Sequence, residues 1–313
     1  HQSRAAVERL FDVFTVATVN APAAQASLAL AAMVFQDGLL RDADACDIGM
    51  ASVPLGVLHG DAAAAVLETL GAEVRLHARV RAVSRTEGGR WLVGTDDTTF
   101  EADAVVVAVP HDAAAELLPA GAVVDPDQLR QLDVAPILNV HVIFDRTVLR
   151  EPFLAAVGSP VQFVFDRTSA TGLAGGGQYL AISVSAADTW IDEPVASLRE
   201  VFLPELSRVL PDARAAVVRD FFVTRERSAT FRPAPGSAAH RLPTATTHPS
   251  LVLAGAWTDT GWPATMEGAV RSGIAAAAAL RGHSVAPNEN DRHDGLGNET
   301  GTPGVETAEE ALA

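Results

Sequence analysis

Apolar positions along the first forty residues repeat at helical spacing. Leu28, Leu30, Met33 and Val34 share one face and lead toward Leu39 and Leu40, so residues 3–41 are predicted helical with a break at Pro22. The pattern changes near Pro54. Asp61 is placed to cap a helix over residues 62–70, and Gly71 stands where a helix-ending glycine is expected. Three short β-type runs follow at 74–76, 80–83 and 91–93, separated by Gly88-Gly89 and Asp96-Asp97 turn signals. Residues 103–109 are apolar throughout after Asp103 and end at Pro110, as expected of a strand buried on both faces.

From Ile137 the pattern is β-rich, with strands predicted at 137–144, 161–165 and 179–184 and a glycine loop at 172–177. A helix over 198–210 is expected to be interrupted by Pro204, and another strand follows at 217–223. Residues 232–249 read as a Pro/Ser/Thr loop. A last buried strand at 251–254 leads through 255–263 into a helix ending near Gly282. Residues 284–313 are polar, acidic and poor in large apolar side chains, which predicts a disordered tail.

Composition narrows the picture. At 313 residues, 48% hydrophobic and 20% charged, the chain suits a soluble protein of about two domains. Its 23 basic and 39 acidic side chains give a net charge of −16, which opposes a phosphate backbone and argues against a nucleic-acid partner. Cys46 is the single cysteine, so no internal disulfide can form. The nine histidines show no paired ligand spacing, and no metal site is expected. No apolar run is long enough to span a bilayer. The expected location is the cytoplasm, with a peripheral contact at the inner face of the cell membrane left open.

The block at residues 251–273 carries the strongest chemistry: a buried strand, a tight loop and a helix start. Backbone N–H groups at Ala264, Thr265 and Met266 are free to face electron-rich ligand oxygens. Gly268, Ala269, Ser272, Gly273 and Ala276 give the helix a face with little bulk, which a flat ligand or a sheet can approach. On spacing alone, ordinary helix–sheet packing with Glu267 and Arg271 as a surface pair explains it equally well.

This block resembles the C-terminal flavin motif shared by amine oxidases, carotenoid desaturases and hydroxysqualene dehydroxylases. The resemblance implies FAD as cofactor, with Thr265 and Met266 meeting the pyrimidine end of the isoalloxazine and Gly255 letting the loop pass the ribityl chain. Ala256 departs from the acidic residue common at that position, so the ribityl contact falls to water or to Asp259. The segment around Val80 resembles the stretch whose valine backbone holds the adenine, and 103–110 the strand that sets Ala108 and Pro110 beside the ADP part. Five further blocks are similar to hydroxysqualene dehydroxylases: those opening at Val19, Asn139, Gly158, Gln178 and Ala229. The resemblance covers roughly residues 5–282.

The implied fold is α/β, in two domains: an incomplete Rossmann-like FAD-binding domain and a substrate domain of antiparallel sheet plus helices. Residues 1–51 are the helical part of the substrate domain and 121–240 its β-rich part. Residues 52–120 and 241–283 make up the FAD-binding part, with 284–313 as tail. No G-x-G-x-x-G turn occurs, so the chain is expected to be N-terminally truncated and inactive alone. The implied activity is reductive removal of the hydroxyl of hydroxysqualene, a long isoprenoid, to give squalene. A carotenoid-type desaturase, or a non-catalytic lipid binder on a flavin fold, are the alternatives. Phe163, Phe231 and Trp262 are candidate substrate contacts, with Phe165 and Trp257 as further aromatics. His111-Asp112 reads more readily as a helix start than as a proton-handling pair. The residue that protonates the departing hydroxyl is left open, with Asp259 and Glu267 as candidates.

Overall fold

The computed structural model describes residues 2–173 and 175–282. The predicted tail lies outside the described residues.

A five-stranded antiparallel sheet dominates, in the order β6-β7-β8-β5-β9. Its strands are β5 (Val134–Phe144), β6 (Phe153–Ala155), β7 (Phe163–Asp166), β8 (Gln178–Ser185) and β9 (Val218–Phe231). Alternation along β5 and β8 sends Leu138, Val140, Val142, Leu180, Ile182 and Val184 to one face. The helix Val195–Val209 covers that face with Leu198, Phe202 and Leu206, one turn apart on a single stripe. All nine of these side chains are 0% exposed. Pro204 does not interrupt this helix. It sits on the solvent side, where the carbonyl of Glu200, deprived of its N–H partner, can turn to water.

The first helical region runs over 4–19, and 28–40 form a second, with Asn20 left-handed (φ 59°) between them. Asn20 ties this corner to the sheet. Its amide nitrogen donates to the Ala135 carbonyl at 3.0 Å and the Thr230 hydroxyl at 2.9 Å, and its oxygen accepts from Ala186 N–H at 2.6 Å. The helices lie over the second face of the large sheet. Val13 and Val16 share a hollow with Phe163, and Ala17 and Ile48 a second one with Phe153, Phe163 and Phe165.

β1 (Val80–Arg85), β2 (Trp91–Thr95) and β3 (Thr99–Ala102) form a separate antiparallel sheet. β4 (Val105–Val107) and β10 (Leu251–Leu253) form a parallel pair. Val80 and the 105–107 strand therefore belong to different sheets. They meet instead in a common core with Trp91, Leu251, Leu253 and Trp257. The helix Met266–Leu280 packs on the other side of β10, with Ala276 against Val252 and Ala254.

Several elements differ from the sequence reading. Residues 74–76 are not a strand, and Asp61 makes no side-chain cap, because the helical path already begins at Gly56. β4 is three residues long, and Val106 is 42% exposed rather than buried on both sides. β9 runs on past the expected 217–223 to Phe231, paired with β5 on both sides of a register shift between Glu226 and Thr230. β9 is an edge strand, so hydrophilic side chains are tolerated there. Val57, Leu58, Val66, Leu67 and Leu70 on the 56–70 helical stretch point outward. Among the described residues no helix is long and apolar enough to cross a membrane.

Candidate functional site

A groove of about 540 Å³ opens where β4, the β10 loop, the 266–280 helix and the ends of β5 and β9 converge. That volume lies within the range of roughly 300–1,000 Å³ typical of small-molecule and cofactor sites. Ala108, Pro110, Gly255, Ala256, Thr265 and Met266, all predicted cofactor contacts, line it. So does the predicted substrate contact Phe231, together with Trp257 and Ile137. Four predicted residues stand elsewhere. Val80 lies in β1, and Asp259 is exposed with its backbone N–H donating to Leu242. Trp262 stacks with the Arg271 guanidinium at 4.2 Å, and Phe163 lines the two hollows under the first helices.

The loop is built by backbone demands. Gly255 has φ 145°, and a Cβ there would stand 2.3 Å from Trp257 Nε1. Only glycine fits without displacing the indole. Trp257 in turn donates to the Val109 carbonyl at 2.8 Å, closing β4 onto the loop. Gly255 N–H donates to Ser272 Oγ at 2.7 Å, joining the loop to the helix. Gly268, Ser272 and Ala276 form the buried stripe that receives β10, whereas Ala269 borders the groove and Gly273 is exposed. The low-bulk face thus divides between packing and groove.

At the helix start, the Thr265 hydroxyl accepts from Gly268 N–H at 3.1 Å as N-cap. Thr265 N–H is already committed to the Pro263 carbonyl at 2.8 Å, so it is not a free donor as expected. The exposed first turn at Met266 leaves N–H groups for a ligand, aided by the positive end of the helix dipole.

Arg241 is a residue that the sequence reading missed. It is 5% exposed and lies among the carbonyls of the loop. Its guanidinium donates to the Ala256 carbonyl at 3.1 Å, the Trp257 carbonyl at 3.4 Å, the Thr260 hydroxyl at 3.1 Å and the Thr258 carbonyl. It also lies over the Phe231 ring at 5.2 Å. Burial pulls its pKa below the usual arginine value, and the nearby Asp259 charge opposes that shift. The signal available was weak: one of two arginines in a Pro/Ser/Thr loop. His111 begins the helix His111–Leu117 at the groove wall, and Asp112 accepts from Ala113 N–H, in keeping with a helix start. Burial lowers the His111 pKa and favours the neutral ring. Glu267 pairs with Arg271 at 2.7 Å on the surface.

Residues 1–281 match the family model of flavin containing amine oxidoreductases. The chain belongs to that family. With membership comes FAD as the cofactor, and the groove suits one: glycine where the loop passes close, small residues at Ala108, Ala256 and Ala269, and a helix start at its rim. The chain is 31% identical over 280 residues to the hydroxysqualene dehydroxylase of Sinorhizobium fredii, covering 86% of this chain and 61% of the relative. It is also 28% identical over 232 residues to a 15-cis-phytoene desaturase of Capsicum annuum, covering 68% of this chain and 39% of that one. In three dimensions it is similar to the cyclohexylamine oxidase of Brevibacterium oxydans. The TM-score is 0.58 at 18% identity, over 88% of this chain and 64% of that one, a likeness of fold. The chain thus spans about 61% of the length of the hydroxysqualene dehydroxylase it matches.

Proposed function

We propose that this chain forms the substrate-binding and flavin-facing part of an FAD-dependent dehydroxylase that converts hydroxysqualene to squalene. The observation that supports it most is the joining of the groove to the second face of the large sheet. Ile137, Ser228, Ala229 and Thr230 belong to β5 and β9 and also line the groove. The same face carries Phe153, Phe163 and Phe165, stacked at 6.2–6.3 Å. The stacked phenylalanines give that face an apolar patch suited to part of a long isoprenoid, and the dehydroxylase relative supports that substrate class.

In this reading residues 1–51 and 121–240 form the substrate part, and 52–120 with 241–283 the cofactor part. Reduced FAD, when bound, supplies the hydride that replaces the hydroxyl. The chain's own residues do the rest. The Met266 end of the helix favours negative charge at the cofactor's edge. Gly255, Trp257 and Arg241 fix the loop against it, and Val80 and Asp259 lie outside the groove proper. Phe163, Phe231 and the helices over 4–40 shield the apolar chain from water. The enzyme is placed in the cytoplasm, meeting its substrate at the inner face of the membrane.

The phytoene desaturase relative keeps a second reading in play, in which hydrogens are removed from a polyene precursor. Incubation of a chain extended at its N-terminus to the length of its relatives with hydroxysqualene or phytoene, FAD and a reductant or acceptor, followed by product analysis, separates the two. Squalene is the expected product. Desaturated phytoene without squalene would favour the second reading, and turnover of neither would overturn both.

A further inference from the structure

One buried polar side chain of the groove has not spent its hydrogen bonds. His111, the first residue of the helix His111–Leu117, is 6% exposed and lines the groove where β4 gives way to that helix. Its ring nitrogens have no hydrogen-bond partner among the described residues. Ser237 Oγ is the one fully enclosed side-chain N or O atom there without a partner, so the His111 nitrogens meet open space, and the space that His111 lines is the groove. The other polar side chains around it are committed or exposed. Trp257 Nε1 donates to the Val109 carbonyl at 2.8 Å, the Thr265 hydroxyl accepts from Gly268 N–H at 3.1 Å, and the Thr230 hydroxyl accepts from the Asn20 amide at 2.9 Å. Asp112 accepts from Ala113 N–H at 2.9 Å, and Ser228 is exposed. Ile137, Ala229 and Phe231 from the sheet, with Val109 and Pro110 ahead of the helix, give this part of the groove an apolar wall.

A buried polar group without a partner is costly, so the groove gains from a ligand that supplies one. Burial favours the neutral ring, against the opposing charges of Asp112 and Asp133. A neutral imidazole has one N–H to donate and one bare nitrogen to accept, and an alcohol offers the matching pair. Hydroxysqualene carries one hydroxyl in a long hydrocarbon chain. We propose that His111 hydrogen-bonds the substrate's hydroxyl and so selects an alcohol over a hydrocarbon of the same length. This rests on the dehydroxylase reading and gives it a specificity residue in the groove assigned to the flavin, beside which the carbon that takes the hydride must lie. The polyene precursor of the second reading has no hydroxyl to offer. The rest of the isoprenoid chain then runs past Ile137, Ala229 and Phe231 toward the sheet.

The test uses the chain extended at its N-terminus to the length of its relatives, as wild type, His111→Leu and His111→Gln. Binding of hydroxysqualene and of squalene is followed by tryptophan emission, which Trp257 in the same groove reports. One hydrogen bond predicts a preference for the alcohol of about two- to ten-fold in the wild type. His111→Leu, which keeps an apolar side chain and removes both nitrogens, should bring that ratio to about one. Its squalene affinity should stay at the wild-type value, which also shows that the groove is folded. His111→Gln keeps a donor and an acceptor and should retain part of the preference. Flavin titration should give the same FAD affinity in all three. Equal affinity for the two ligands in the wild type, or an undiminished preference in His111→Leu, overturns the proposal. So does a loss of FAD affinity in His111→Leu with the preference kept, which would assign the imidazole to the cofactor. A wild-type preference that His111→Leu abolishes, with no squalene formed on adding reductant, refutes the dehydroxylase reading and leaves the hydroxyl contact standing. Squalene formation without any preference does the reverse.

Discussion

Replacing Arg241 with methionine tests whether a buried cation holds the flavin-facing loop. Methionine keeps an unbranched apolar stem over Phe231 and removes every donor, so the change isolates the hydrogen bonds. The Ala256 and Trp257 carbonyls lose their side-chain donor, while the Thr258 carbonyl keeps Thr260 N–H and the Thr260 hydroxyl keeps Trp262 N–H. A buried acceptor left unpaired costs about 1–3 kcal/mol. Water can reach Ala256, which is part-exposed, so the deeper Trp257 carbonyl should dominate. The expected loss is about 3 kcal/mol, in line with the breaking of other buried polar networks. With a urea slope of about 1–3 kcal/mol per molar, the midpoint should fall by roughly 1 M or more. Hydrogen exchange should quicken at Thr258 and Asp259, whose N–H groups bond within this loop and to Leu242. Arg241→Lys should fall between, since an ammonium keeps the charge but not the planar fork. A midpoint shift under ~0.2 M for Arg241→Met, with unchanged exchange at Thr258 and Asp259, would refute the reasoning.

Gly255→Ala should destabilise by about 3 kcal/mol, because φ 145° and a 2.3 Å approach to Trp257 Nε1 must both be relieved. Tryptophan emission shifted to the red would report the displaced indole. Asp145 is held down to about 2, first by the Arg146 side chain and then by Val217 N–H. Its folded pKa is depressed, so its contribution is present above the unfolded carboxylate value near ~4 and is lost as pH falls through about 2. Asp145→Asn should flatten the stability curve in that window, measured by acid titration of thermal unfolding. His111 is also depressed, by burial. Its neutral form favours folding above an unfolded value near ~6.5, and that support should fade below it. The His111→Gln variant should lose that slope between neutral and mildly acid pH.

Periodic elements were legible and partners were not. Alternation marked the cores of β5 and β8, and the glycine-to-helix block marked the groove, because each signal is local. The reach of β9 to Phe231 was within the sheet expected over 217–231, but its register shift between Glu226 and Thr230 was not legible, since pairing with β5 sets it. Val106 looked doubly buried because three consecutive valines carry no information about what covers them. Asp61 looked like a cap because it precedes four alanines, yet the helical turn before it already satisfied the backbone. At the site, Gly255, Thr265 and Met266 lay within one contiguous motif. Arg241 makes its contacts with residues distant in sequence, which no spacing rule reports.

The alternation of β5 has a bearing on how such a protein can change over generations. Leu138, Val140, Val142 and Phe144 are locked into the core, where loss of a methyl group or two would cost folding free energy directly. Ile137, Asn139, His141 and Ile143 sit between them in sequence yet share none of that packing. Mutations at every second position can therefore reshape what the face accepts at little cost to stability. One strand separates a packing duty from a ligand-facing one at single-residue resolution. A library randomised at those four outward positions should keep most members folded while spreading their ligand preferences widely.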